Sequence, residues 1–129
     1  LMIHQGISLQ STPQLKPLLG GSFNGHPQEA LLSYRISNPT LDFTKNISDF
    51  QAFEEPYDCA LDGKTNTIEF LNYSHQGRII PAGWYRSQSI GHIVYLSPGH
   101  HLETLKNPAY QTLIKQTLEW LIQKNHRSL

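Results

Sequence analysis

Apolar positions along most of this chain come in short blocks broken by Gly, Pro and Asn, and only the last stretch carries a helical period. Leu1-Met2-Ile3-His4 is an apolar run ending at Gln5-Gly6, which predicts a buried strand that opens abruptly at the first residue. Residues 13–19 can form only a short helix, because Pro17 lacks a backbone donor, and they run into Gly20-Gly21. The stretch 22–28 is turn-like. Residues 31–36 alternate as a strand, which Asn38-Pro39-Thr40 ends. Residues 41–55 carry Phe43, Ile47, Phe50 and Phe53 at mixed spacing, predicting short helical turns and then a strand. Cys59-Ala60-Leu61 and residues 67–71 are strand-like, with Asp62-Gly63 turning between them. Residues 79–85 and 92–97 are two further strands, spaced as a hairpin. Finally Asn107 caps a helix with Pro108 at its first position, and Tyr110, Leu113, Ile114, Leu118, Leu121 and Ile122 line one face.

Together these elements predict an α/β fold with a mostly parallel sheet and flanking helices. Its strands would be residues 1–4, 31–36, part of 53–61 and 92–97, with the closing helix over one face and residues 67–71 and 79–85 near an edge. The 129 residues allow one domain. The abrupt opening suggests that this domain is incomplete at its N-terminus.

Charge narrows the partners. Ten basic residues cancel ten acidic ones, and no Lys/Arg run exceeds two, so the basic face that a nucleic acid requires is lacking. No apolar run approaches the ~20 residues that span a bilayer, and no basic segment precedes a hydrophobic one. A lone cysteine, Cys59, forms no internal disulfide, which fits a reducing compartment, so a cytoplasmic location is expected.

Seven histidines are the unusual count. His100 follows the strand 92–97 through the turn Pro98-Gly99, and His4 ends the first strand. In a parallel sheet both would stand at the carboxyl ends of strands, where ligands gather. With Glu55 they would supply an acid–base pair or hold a divalent metal such as zinc, although no short metal motif is present. His26, Tyr57 and Trp84 are candidates to contact substrate. Cys59 lacks the small neighbours of a nucleophile elbow and is expected to be a structural thiol. Gly20-Gly21 lacks the Lys and spacing of a phosphate loop.

Several segments, taken in order, resemble the ThuA-like (trehalose utilisation) family over nearly the whole chain. They are Ile3-His4-Gln5-Gly6, Gly20-Gly21-Ser22-Phe23-Asn24-Gly25-His26-Pro27, Asn38-Pro39-Thr40, Glu54-Glu55-Pro56-Tyr57, Ala82-Gly83-Trp84, Gly91-His92-Ile93-Val94-Tyr95 and Pro98-Gly99-His100. The segment from Asn107-Pro108-Ala109-Tyr110 to Glu119-Trp120-Leu121 is similar to the family's closing helix. Asn38 stands where the family usually has His, and His92 replaces a Gly-Arg strand entry.

The resemblance implies a flavodoxin-like, class I glutamine amidotransferase-like fold whose N-terminal β-α units are missing here. It also implies metabolism of trehalose, related disaccharides or their 3-keto forms, beside a dehydrogenase partner; separately, the abrupt opening predicts an uncovered apolar edge or face next to residues 1–4, to be filled by upstream sequence or by a second copy of the chain. An enzyme of this kind would process keto-sugars without a cysteine nucleophile. The alternatives are a non-catalytic sugar-binding or assembly module, or a truncated remnant of the family.

Overall fold

The computed structural model describes residues 1–8, 12–64 and 66–127, the Arg127 side chain excepted. Eight strands appear among them: β1 (Met2–Ile3), β2 (Gly21–Phe23), β3 (Ala30–Ile36), β4 (Phe50–Glu54), β5 (Cys59–Leu61), β6 (Thr67–His75), β7 (Arg78–Gln88) and β8 (Gly91–Leu96). Three α-helices join them: α1 (Lys16–Leu19), α2 (Leu102–Lys106) and α3 (Pro108–Arg127).

The main sheet has the order β1-β8-β7-β6-β3-β4, and β2 pairs with β5 in a small separate sheet. Only β1 and β8 are parallel, with Met2 beside Tyr95 and Ile3 beside Leu96. All other pairings are antiparallel. The expected mostly parallel sheet with flanking helices is therefore overturned. The physical reason lies in the connections: His75 pairs with Arg78 and Gln88 with Gly91, which leaves two-residue turns, whereas a parallel crossover takes a dozen residues or more. Gln76 and Gly77 both have positive φ (50° and 76°), as a type I′ hairpin turn requires. Strands β6 and β7, expected near an edge, occupy the middle, and the edges are β1 and β4. The hairpin expected between residues 79–85 and 92–97 is present as β7–β8.

The two faces of β8 feed two cores. Val94 and Leu96 join Leu32, Phe50, Phe70, Tyr110 and Leu113 in the larger one. Ile93 and Tyr95 face the smaller, with Leu19, Cys59 and Trp84. Helix α3 buries Tyr110 and Leu113 completely, each worth roughly 1.5–3 kcal/mol of apolar transfer. Its start is capped as expected: Ala109 N–H and Tyr110 N–H donate to Asn107 Oδ1 at 3.1 and 3.3 Å. Among the described residues no helix is long and apolar enough to cross a membrane.

Four antiparallel steps separate β8 from β4, so the two strands run the same way. In a flat sheet they would stand ~19 Å apart, four spacings of ~4.8 Å. Yet Gly99 N–H, just beyond β8, donates to Glu54 Oε1 at the end of β4 over 3.1 Å. The sheet therefore curls into a half-barrel, which brings the carboxyl ends of β1, β8 and β4 together.

Candidate functional site

Each of those three strand ends delivers one side chain to the rim. His4 follows β1 with φ of 51°, a left-handed conformation that a non-glycine residue holds only where its surroundings enforce it. Its Nδ1 lies 2.9 Å from the carbonyl oxygen of Ser97, and a carbonyl can only accept, so Nδ1 carries the proton. The Nε2 nitrogen then faces the rim.

There it meets Glu55 Oε2 at 3.2 Å and the Tyr57 hydroxyl at 3.1 Å. His100 Nδ1 lies 3.4 Å from the same Glu55 Oε2, and His26 Nε2 lies 3.5 Å from Glu55 Oε1. One carboxylate, 14% exposed in its side chain, thus sits among three imidazoles from distant parts of the chain. Tyr57 stacks on His4 with ring centres 4.3 Å apart, and burial followed by the Glu55 charge pushes its hydroxyl pKa up to about 12. It stays a proton donor at neutral pH.

The supports beneath this cluster are buried. In β4 the alternation turns Phe50, Ala52 and Glu54 inward, which leaves the Glu54 carboxylate fully enclosed. It accepts from the backbone N–H groups of Gly99 (3.1 Å), His100 (3.0 Å) and His101 (3.4 Å), tying down the turn that carries His100. Gly99 has φ of 152°, and an added Cβ would lie 2.9 Å from Ile3 Cγ2, so glycine is required at this crossing.

Three buried tyrosines hold the rim backbone from below. Tyr95 donates to the His4 carbonyl at 2.9 Å, Tyr110 to that of Pro98 at 2.6 Å, and Tyr73 to that of Tyr57 at 2.7 Å. Burial raises all three hydroxyls above the ordinary tyrosine range and keeps them protonated.

Of the residues singled out in the sequence, His4, Glu55, His100, His26 and Tyr57 converge. Trp84 does not join them. It is fully buried in the smaller core, packs on Tyr95 at 4.5 Å between ring centres and donates Nε1–H to the Leu19 carbonyl at 2.7 Å, so it lines no open surface. Cys59 is buried too, and its thiol is pushed up to about 12, chiefly by burial, so it is no thiolate nucleophile at neutral pH. Glu54, Glu29 and His101 were missed. Period-two alternation through Phe50, Ala52 and Glu54 was the signal for the first. A groove of about 620 Å³ beside Ser33, Arg35, Asp49 and Asn72 holds none of the candidate residues.

A solved structure, a putative ThuA-like protein from Bacteroides uniformis ATCC 8492, is similar in fold. Its TM-score is 0.73 at 19% identity over 92% of this chain, and this chain spans 56% of that protein's length. No curated protein sequence matches. The family described as ThuA, trehalose utilisation, matches residues 1–121. With nearly the whole chain matched, and with the cluster held on segments of that match, this chain belongs to the ThuA family of trehalose utilisation.

Proposed function

We propose that the His4–Glu55–His100 cluster is an acid–base centre for a keto-sugar, derived from trehalose or a related disaccharide. One observation carries this reading: Glu55 Oε2 lies within 3.2 Å of His4 Nε2 and 3.4 Å of His100 Nδ1, on a rim pinned from below by buried donors. A ketone in a sugar ring acidifies the neighbouring C–H. Glu55 takes that proton, the C–H electron pair becomes a C=C double bond, and the glycosidic C–O bond breaks with its electrons on the leaving oxygen. His100, whose Nδ1 lies 3.4 Å from Glu55, returns a proton to that oxygen. His4 orients Glu55 through its bond to Ser97, while Tyr57 and His26 form the wall that the sugar meets. A dehydrogenase acting on a sugar hydroxyl would supply such a substrate.

The same donors suit a divalent cation. Tetrahedral zinc with bonds of ~2.0–2.1 Å sets its ligands ~3.3 Å apart, close to the two separations from Glu55 Oε2. His4 also has the outer partner that fixes a ligating imidazole, the Ser97 carbonyl. A cation held by this trio would polarise the keto oxygen. The test is calorimetric titration of the protein with zinc and with 3-keto-trehalose, alongside turnover, for wild type, His100→Ala and Glu55→Gln. Loss of sugar binding or turnover in both variants is expected. Unchanged affinity and turnover in both would remove the cluster from function and leave a non-catalytic module.

A further inference from the structure

The far side of His100 faces a second donor set. Its Nε2 lies 3.2 Å from Glu29 Oε1, and His101 Nε2 lies 3.0 Å from the same oxygen. The ladder of β3 and β4 ends at the pair Ala30–Glu54, and one step further it would set Glu29 opposite Glu55. Two carboxylates facing each other across strands repel. Here imidazoles stand between them, and His100 presents one nitrogen to each carboxylate. A neutral imidazole carries one proton and one lone pair, so it can donate to only one of the two. Its other nitrogen needs a cation or a second proton.

We infer that Glu29, His100 and His101 form a second, outer site for a divalent transition cation, which competes with the inner His4–Glu55 pair for the single lone pair of His100. The donor atoms of each trio lie within 4.8 Å of one another. The outer separations of 3.0 and 3.2 Å are close to the ~3.3 Å tetrahedral edge of zinc. Two imidazoles and one carboxylate select zinc, cobalt or nickel over magnesium or calcium, which take oxygen. The outer imidazoles are about one-third exposed, against 9% for the His4 side chain. An ion arriving from solvent meets the outer set first. Rotation of His100 between its neighbours would pass it inward.

The outer site shares only His100 with the proposed inner centre, the competition rests on that centre taking a cation, and the test reads the two apart. Cobalt(II) is titrated into wild type, into the inner-site variant His4→Ala/Glu55→Gln, and into that variant carrying Glu29→Gln and His101→Ala as well. Stoichiometry is read by calorimetry and geometry by the visible cobalt spectrum. Circular dichroism selects folded samples, and His4→Gln/Glu55→Gln replaces the inner variant if it does not fold. One ion per chain is expected in wild type and in the inner-site variant, with at least tenfold weaker binding once Glu29 and His101 are also replaced. An inner-site variant that binds no cobalt would overturn the outer site. Two ions per wild-type chain would overturn the competition for His100.

Discussion

Replacing Glu54 by Gln removes one buried charge and leaves the side-chain shape unchanged, which makes it the sharpest probe of how the rim is held. Its carboxylate receives three backbone N–H groups, from Gly99, His100 and His101. Hydrogen bonds to a charged group contribute ~1.5–3 kcal/mol each, but burial of that charge offsets much of the sum. In the variant the amide oxygen still accepts, whereas the amide NH2 faces at least one backbone donor. An unpaired buried donor costs ~1–3 kcal/mol, and the lost charge assistance adds to it, for a total of about 2–4 kcal/mol. Against a domain stability of ~5–15 kcal/mol the protein stays folded at 25 °C, but its melting temperature should fall by roughly 10 °C. Urea unfolding followed by circular dichroism measures the loss, and Glu54→Ala, which leaves all three N–H groups unpaired, should lose more. A loss below ~1 kcal/mol in Glu54→Gln would show that the turn at Gly99 stands without the carboxylate.

Two further outcomes follow from buried groups. Trp84→Phe deletes the donor to the Leu19 carbonyl and part of the smaller core, so it should cost about 1–3 kcal/mol in urea unfolding with sugar and zinc affinity unchanged. Lost sugar affinity at full stability would return Trp84 to the binding surface. Burial pushes the Cys59 thiol and the Tyr57 hydroxyl up to about 12 from their ordinary values of 9.0 and 10.0, so the unfolded chain gives up these protons first. Their contribution to stability is complete below about pH 9 and is lost as pH rises toward 12. A urea midpoint that stays level from pH 8 to 11.5 would contradict this.

Most strand positions were legible because alternation and turn residues are local signals, but β2 at Gly21–Phe23 overlaps the stretch read as turn-like, being too short to show a period. Strand direction was not, since an apolar block reads alike in parallel and antiparallel ladders. The corrective signal was present in Gln76-Gly77 between two apolar runs, too short a link for anything but a hairpin. His4 and His100 were placed together for a reason that half survives: β1 and β8 are parallel, so their carboxyl ends coincide. Glu55 arrives by a different route, through four strand reversals and a curl that no periodicity encodes. Trp84 was misplaced because aromatic residues suit both sugar surfaces and cores, and only the Leu19 carbonyl decides between them.

The cluster draws His4, His26, Glu55 and His100 from segments that are strangers in sequence and neighbours only once the half-barrel has closed. Occupancy of such a site behaves as a property of the whole fold. An ion present at a hundred times its dissociation constant adds about 2.7 kcal/mol to stability, comparable to what Glu54→Gln is expected to remove. If the cluster takes an ion as proposed, two preparations of one sequence that differ only in trace metal would melt at different temperatures, and a chelator would act as a mild denaturant.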